Sequence, residues 1–130
     1  MGSILEVARQ RIILPLDYGK LSQAVVTLVE TRHIISEYKI GLTAITAGFA
    51  QTLAKIVDDL GLLVGWDGKW DDIPETVKGA AEALGKHGTA KWCNVHASAG
   101  AKSVAAAVKA CHTLCSIRVY GVTVLTSIDS

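Results

Sequence analysis

The sequence predicts an α/β chain of parallel strands joined by helical crossovers, and three observations carry that reading. Short apolar runs begin near Ile12, Ile35, Leu62, Lys91 and Ile117, at spacings of 23, 27, 29 and 26 residues. Each spacing is the length of one strand, one crossover helix and two short loops. Between the runs, apolar residues fall at i, i+3, i+4 and i+7, so each intervening segment can cover a sheet with one face. The runs themselves, such as Leu62-Leu63-Val64 and Val122-Thr123-Val124-Leu125, lack strict alternation and read as parallel strands buried on both sides.

The elements follow in order. A short helix over 4–10 precedes the first strand. Four helical stripes come next: Leu21, Ala24, Val25, Leu28; then Phe49, Leu53, Ile56, Val57, Leu60; then Ile73, Val77, Ala80, Ala81, Leu84; then Ala101, Val104, Ala105, Val108. Gly61 and Gly85 stand where helix C-caps belong, and Gly100 opens the fourth helical segment. Pro15, inside the first run, cannot donate to a ladder and marks an edge or a bulge. Successive right-handed βα units build either an open doubly wound sheet or part of a (βα)₈ barrel, and periodicity alone does not choose. Leu16-Asp17-Tyr18-Gly19-Lys20 follows the first strand where a dinucleotide-binding chain would carry G-x-G-x-x-G, which tilts the reading towards the barrel. A full barrel has eight strands; five are counted here, in a single domain spanning residues 1–130.

Composition narrows the function. The 130 residues are 50% hydrophobic and 19% charged, with 13 Lys+Arg against 12 Asp+Glu, and a formal net charge of +1 leaves no electrostatic footprint for nucleic acid or an anionic membrane. Apolar runs are broken well before the roughly 20 residues of a membrane span, and the N-terminus lacks a signal-peptide pattern, so a cytoplasmic setting is expected. Cys93, Cys111 and Cys115 are an odd number and promise no disulfide framework. A zinc site would need a fourth ligand and there is no C-x-x-C pair, so buried, inert thiols are expected and no metal is assigned.

In a barrel, chemistry stands at the C-terminal ends of strands. There the chain carries Asp17, Lys39, Asp67 with Lys69, His96 with Ser98, and Thr126 with Ser127. Asp67 and Lys69 are two apart, which on an extended backbone turns both to one side. Each has a plainer reading. Asp72 with Glu75 matches a capping box, Asp67 and Lys69 an ordinary ion pair, Lys39 a solvated lysine, and His96 a structural histidine. Trp66, Trp70 and Trp92 read as packing residues, since no basic stripe accompanies them. Lys39 and Lys69 facing Asp67 and Asp72 would nonetheless make a balanced charge array, a candidate site.

The stretch Asp67-Gly68-Lys69-Trp70-Asp71-Asp72-Ile73-Pro74-Glu75-Thr76 resembles the D-x-K-x-x-D-I-P-x-T signature of the orotidine 5'-phosphate decarboxylase family. Leu14-Pro15-Leu16-Asp17, Tyr38-Lys39-Ile40-Gly41, Val95-His96-Ala97-Ser98-Ala99-Gly100 and Val122-Thr123-Val124-Leu125-Thr126-Ser127 occur as its stations at strands one, two, four and five. The resemblance covers residues 11 to 130. It implies a dimeric (βα)₈ TIM barrel, of which this chain supplies the first five strands and four helices. It also implies conversion of orotidine monophosphate to uridine monophosphate without metal or organic cofactor. Lys39, Asp67, Lys69 and Asp72 become the charged tetrad, with Asp72 reaching the neighbouring subunit's site. Asp17 and Thr76 would hold ribose hydroxyls, Thr76 and Ile73 acting across the dimer, and Ser127 would bind the pyrimidine amide edge. His96 has no catalytic role in that family.

Pro15, Gly68, Trp70 and Ala99 depart from the family pattern without removing a functional group. Strands six to eight and the phosphate-gripping Gln and Arg lie beyond Ser130, so a second chain or a longer polypeptide is expected to supply them. Two other readings stand beside this one. A Mg²⁺-dependent sugar-phosphate decarboxylase or aldolase shares D-x-K-x-x-D but lacks the Ile-Pro-x-Thr that follows here. The other is a non-catalytic half-barrel subunit.

Overall fold

The computed structural model describes residues 3–114 and 116–127. Its elements are α1 (Ile4–Arg9), β1 (Ile13–Pro15), α2 (Leu21–Thr31), β2 (Glu37–Gly41), α3 (Leu42–Thr46), α4 (Ala50–Asp59), β3 (Leu63–Trp70), α5 (Pro74–His87), β4 (Ala90–His96), a 3₁₀ turn (Ala97–Ala99), α6 (Ala101–Leu114) and β5 (Arg118–Val122). The strands follow the order β1-β2-β3-β4-β5, with β1–β2, β2–β3 and β4–β5 parallel. Strand order equal to chain order, with a helix between successive strands, is the βα succession of a partial (βα)₈ barrel. The short helix α3 and the 3₁₀ turn were not foreseen from the apolar spacing. Contacts divide the chain into two compact units, Met1–Asp67 and Gly68–Ser130.

In the first unit the two faces of the strands have opposite characters. Tyr38, Ile40 and Val64 are fully buried and pack with Leu16, Ala24, Leu28, Leu53 and Val57 from β1's end, α2 and α4. On the other face the register aligns Pro15 with Lys39, Lys39 with Gly65, and Gly41 with Asp67. Polar and small residues thus occupy one side while the helices cover the other. Leu16 N–H donates to the Lys39 carbonyl at 2.9 Å, so the missing N–H of Pro15 falls on the side away from β2, where β1 has no strand beside it among the described residues. A line of hydroxyls fixes the loop after β1: Thr27 Oγ1 donates to Tyr18 OH at 2.7 Å, Thr31 Oγ1 donates to the Thr27 carbonyl at 2.7 Å, and Thr31 Oγ1 bonds Tyr38 OH at 2.9 Å. Gly61, at φ 71, follows α4 as its spacing foretold. Leu60, expected on the buried stripe, is 40% exposed.

In the second unit α5 packs on α6, with Val77, Val95 and Ala107 at the centre and Trp70, Val104 and Val119 around them. Three expectations are corrected here. Helix α5 ends at Gly88, φ 77, whose N–H bonds the Leu84 carbonyl, not at Gly85, which lies inside it. The capping box does not form: Pro74 is the first helical residue, the N-cap is Ile73, and no side chain caps it. Proline biases the residue before it to extended backbone, and Ile73 at φ −62, ψ 156 obeys, displacing the start one residue past Asp72. Among the described residues of α6, Ser103, Ala107, Ala110 and Cys111 are buried, while Ala101 and Ala105 of the expected stripe are exposed. A helix built mostly of small apolar residues has little contrast between its faces, so spacing alone misplaces the phase. The exposed positions of β1 and β5, Tyr120 among them at 44%, also depart from strands buried on both sides.

The tryptophans pack, as expected. Trp66 joins the first core and Trp70 the second, and Trp92 meets the Tyr120 ring edge-on, centroids 5.6 Å apart and planes at 82°. Cys93 and Cys111 are buried free thiols with Sγ atoms 3.7 Å apart, and their hydrogen bond together with burial pushes the Cys93 thiol well above its usual range. Cys115 lies outside the described residues.

Candidate active site

At the end of β2 the ammonium of Lys39 donates to Asp67 Oδ2 of β3 at 2.5 Å. The register explains the meeting. Lys39 lies opposite Gly65, which has no side chain to obstruct it, and the lysine extends two residues along the strand direction to Asp67. Asp67 is 5% exposed and the Lys39 side chain 30%, so the pair is half sheltered and Lys39 is not the solvated lysine of the plainer reading. Asp17, exposed just beyond β1, brings its carboxylate over Gly41. A Cβ on Gly41 would lie 2.9 Å from Asp17 Oδ1 and 3.7 Å from the Asp67 carbonyl. Gly41 is therefore the residue that lets Asp17 approach the end of β2, a role its place in the sequence did not disclose. An absent side chain leaves no pattern to read.

Beyond the Asp67–Gly68 boundary, the second unit carries Lys69, Asp72, Ile73 and Thr76. Lys69 has φ 45, the left-handed region, so β3 is not regularly extended there and the argument that Asp67 and Lys69 face one side by simple alternation does not hold. Its N–H donates to Asn94 Oδ1, 2.7 Å away on β4. Asp72 Oδ1 accepts the Ile73 N–H at 2.7 Å, and Ser103 Oγ donates to the Asp72 carbonyl at 2.8 Å, fixing the turn into α5 from α6. Asp72, Ile73 and Thr76 are exposed, Ile73 by 65%. An open groove of about 580 Å³ runs beside them, lined among others by Asp72, Ile73, Ser98, Gly100 and Ser103. Ser127 is exposed in the turn after β5, and His96 closes β4 half-buried. Asn94 and Ser103 were passed over in the sequence. Asn94 could have been noticed as the polar member of the run Trp92-Cys93-Asn94-Val95, whereas Ser103 on a small-residue helix gave no signal.

Parallel βα units whose polar residues gather at the C-terminal ends of strands, above a helix-covered apolar face, define the partial (βα)₈-barrel class. Within that class the chain belongs to the Orotidine 5'-phosphate decarboxylase / HUMPS family, whose profile matches residues 10–130. It is 33% identical over 122 residues to the orotidine 5'-phosphate decarboxylase of Gloeothece citriformis, covering 92% of this chain and 51% of that protein. It is 46% identical over 71 residues to the one from Anaeromyxobacter dehalogenans, covering 55% and 30%. A crystal structure of an uncharacterized conserved protein from Geobacillus kaustophilus matches with a TM-score of 0.79 at 28% identity, over 90% of this chain and 56% of that one. The chain spans about half the length of the curated relatives it matches. No described helix is long and apolar enough to cross a membrane.

Proposed function

We propose that this chain supplies the first five strands of an enzyme that decarboxylates orotidine 5'-phosphate to uridine 5'-phosphate, a step of pyrimidine biosynthesis, with Lys69 as proton donor in a tetrad of Lys39, Asp67, Lys69 and Asp72. The observation that carries the reading is the ion pair between Lys39 of β2 and Asp67, the first residue of the D-x-K-x-x-D-I-P-x-T stretch. Family membership and the decarboxylase relatives support it further.

Loss of CO₂ leaves a carbanion-like centre at C6 of the pyrimidine, and the Lys69 ammonium stabilises that charge and then delivers the proton. Asp67 stands beside the departing carboxylate. Two like charges about 4 Å apart at an effective dielectric near 20 repel by roughly 4 kcal/mol, and the repulsion ends when CO₂ leaves as a neutral molecule. Most of the acceleration is assigned to charges already in place for the transition state. Lys39 and Asp72 fix the geometry of the tetrad. Asp17 takes a ribose hydroxyl, Ser127 the pyrimidine amide edge, and Asp72, Ile73 and Thr76 act in the site of a second copy. Their exposure supports that last assignment. No metal or organic cofactor enters the reaction, the setting is cytoplasmic, and strands six to eight with the phosphate-binding loops come from a second chain or from a longer polypeptide. Remote phosphate contacts are the kind whose energy is used at the reacting centre, so the chain alone is expected to be a very poor catalyst.

The test is co-expression of the chain with a segment carrying strands six to eight, followed by loss of orotidine monophosphate absorbance. Turnover that survives a chelator and disappears in Lys69→Ala supports the reading. Turnover that needs Mg²⁺ would favour the sugar-phosphate chemistry, equal turnover with Lys69→Ala would remove the proton donor, and none with any partner segment would leave a non-catalytic half-barrel.

A further inference from the structure

Lys69 is the one non-glycine residue with a positive φ among the described residues. A left-handed backbone brings Cβ against the following carbonyl and persists only where surrounding structure holds it. At Lys69 one such contact is visible. Its N–H donates to Asn94 Oδ1 at 2.7 Å, and Asn94 is 8% exposed in the middle of β4, opposite Tyr120 of β5. A side-chain amide oxygen of β4 therefore accepts from the backbone at the residue where β3 leaves extended geometry. Because φ sets the direction of the Cα–Cβ bond, whatever fixes φ at Lys69 also fixes where its side chain departs from the strand.

We infer that Asn94 is a positioning residue for Lys69: by accepting the Lys69 amide proton on β4 it holds the lysine in its left-handed conformation and so aims the ammonium. This rests on the proposed role of Lys69 as proton donor, but its geometric half stands independently. Asn94 touches no reacting atom in this scheme. Its effect passes through the Lys69 backbone.

Two variants separate the contact from mere packing. Asn94→Leu keeps the shape and removes the acceptor, while Asn94→Asp keeps the acceptor oxygen. In the 130-residue chain, nuclear magnetic resonance should show the Lys69 amide exchanging roughly tenfold faster in Asn94→Leu, the loss of one hydrogen bond. The strong intraresidue amide–Hα cross-peak that marks left-handed backbone should weaken with it, and both signatures should persist in Asn94→Asp. Unchanged signatures in Asn94→Leu overturn the inference. Should Asn94→Leu fail to fold, adding Lys69→Gly decides the matter, since glycine adopts φ 45 freely. Recovery of the fold supports the inference, and continued failure overturns it by showing that Asn94 serves β4 itself. In the enzyme assembled with strands six to eight, Asn94→Leu should lower kcat about 100-fold while KM moves less than about threefold, and Asn94→Asp should restore most of kcat. An equal fall in both variants, or none, overturns the aiming role. If the unsubstituted assembly shows no turnover, the decarboxylase reading fails, and the resonance signatures still decide the Asn94 contact.

Discussion

Lys39 lies opposite Gly65 and reaches Asp67 two residues on, and Asp17 owes its place over β2 to Gly41, so a residue without a side chain shapes the candidate site together with the charged ones. Asp67 is almost fully sheltered, and removing the ammonium beside it takes away a charge-assisted bond. Lys39→Met is expected to lower the unfolding free energy of the chain by about 2 kcal/mol, read from the shift of the urea midpoint at constant slope. Gly41→Ala makes a different prediction. The new methyl would sit 2.9 Å from Asp17 Oδ1, so the carboxylate must move. On the proposed reading, nucleotide binding by the assembled enzyme weakens roughly tenfold, the worth of one bond to a charged group, while the chain's own stability changes little. Calorimetric titration of the assembly with uridine monophosphate checks this, and unaltered affinity would release Asp17 from the ribose.

At the scale of elements, one glycine inside α5 and the glycine at its C-cap carry opposite expectations. Gly88 ends the helix at φ 77, and Gly79 lies exposed inside it, and an added Cβ would meet nothing within 4 Å at either. Backbone conformation alone therefore decides. Gly88→Ala should destabilise by about 1 kcal/mol and Gly79→Ala should stabilise by about the same amount, a contrast that thermal melts of the two variants resolve. The start of α5 is governed by Pro74, which pushes Ile73 into extended backbone and leaves Asp72 outside the helix, its carboxylate on the Ile73 N–H and its carbonyl on Ser103. This is why a capping motif that is correct in spacing does not form. For α6 the stripe was legible as helical but not in phase, because Ala, Ser and Val on all sides give neighbouring positions nearly equal apolar character.

For the whole molecule, the turn into α5 presents Asp72, Ile73 and Thr76 together on the surface, and on the proposed reading the 65% exposed isoleucine beside an open groove is the apolar centre that a second copy covers. Ile73→Lys is expected to leave the chain's stability within about 0.5 kcal/mol, as for most exposed positions, and, on the proposed reading, to halve the mass of the assembled enzyme and remove most of its turnover. Sedimentation together with the decarboxylation assay measures both. Loss of activity without loss of the dimer would place Ile73 at the substrate and not at the interface.

The five strands, the four longer crossover helices and the residues of the D-x-K-x-x-D-I-P-x-T stretch are legible from the chain alone, because apolar periodicity and covalent spacing are local properties that folding does not alter. The Lys39–Asp67 pairing, the space made by Gly41, and the hold of Asn94 on a left-handed Lys69 became visible only in three dimensions. Each depends on which residues the strand register sets opposite one another, and register is a relation between segments distant in sequence that no single segment encodes.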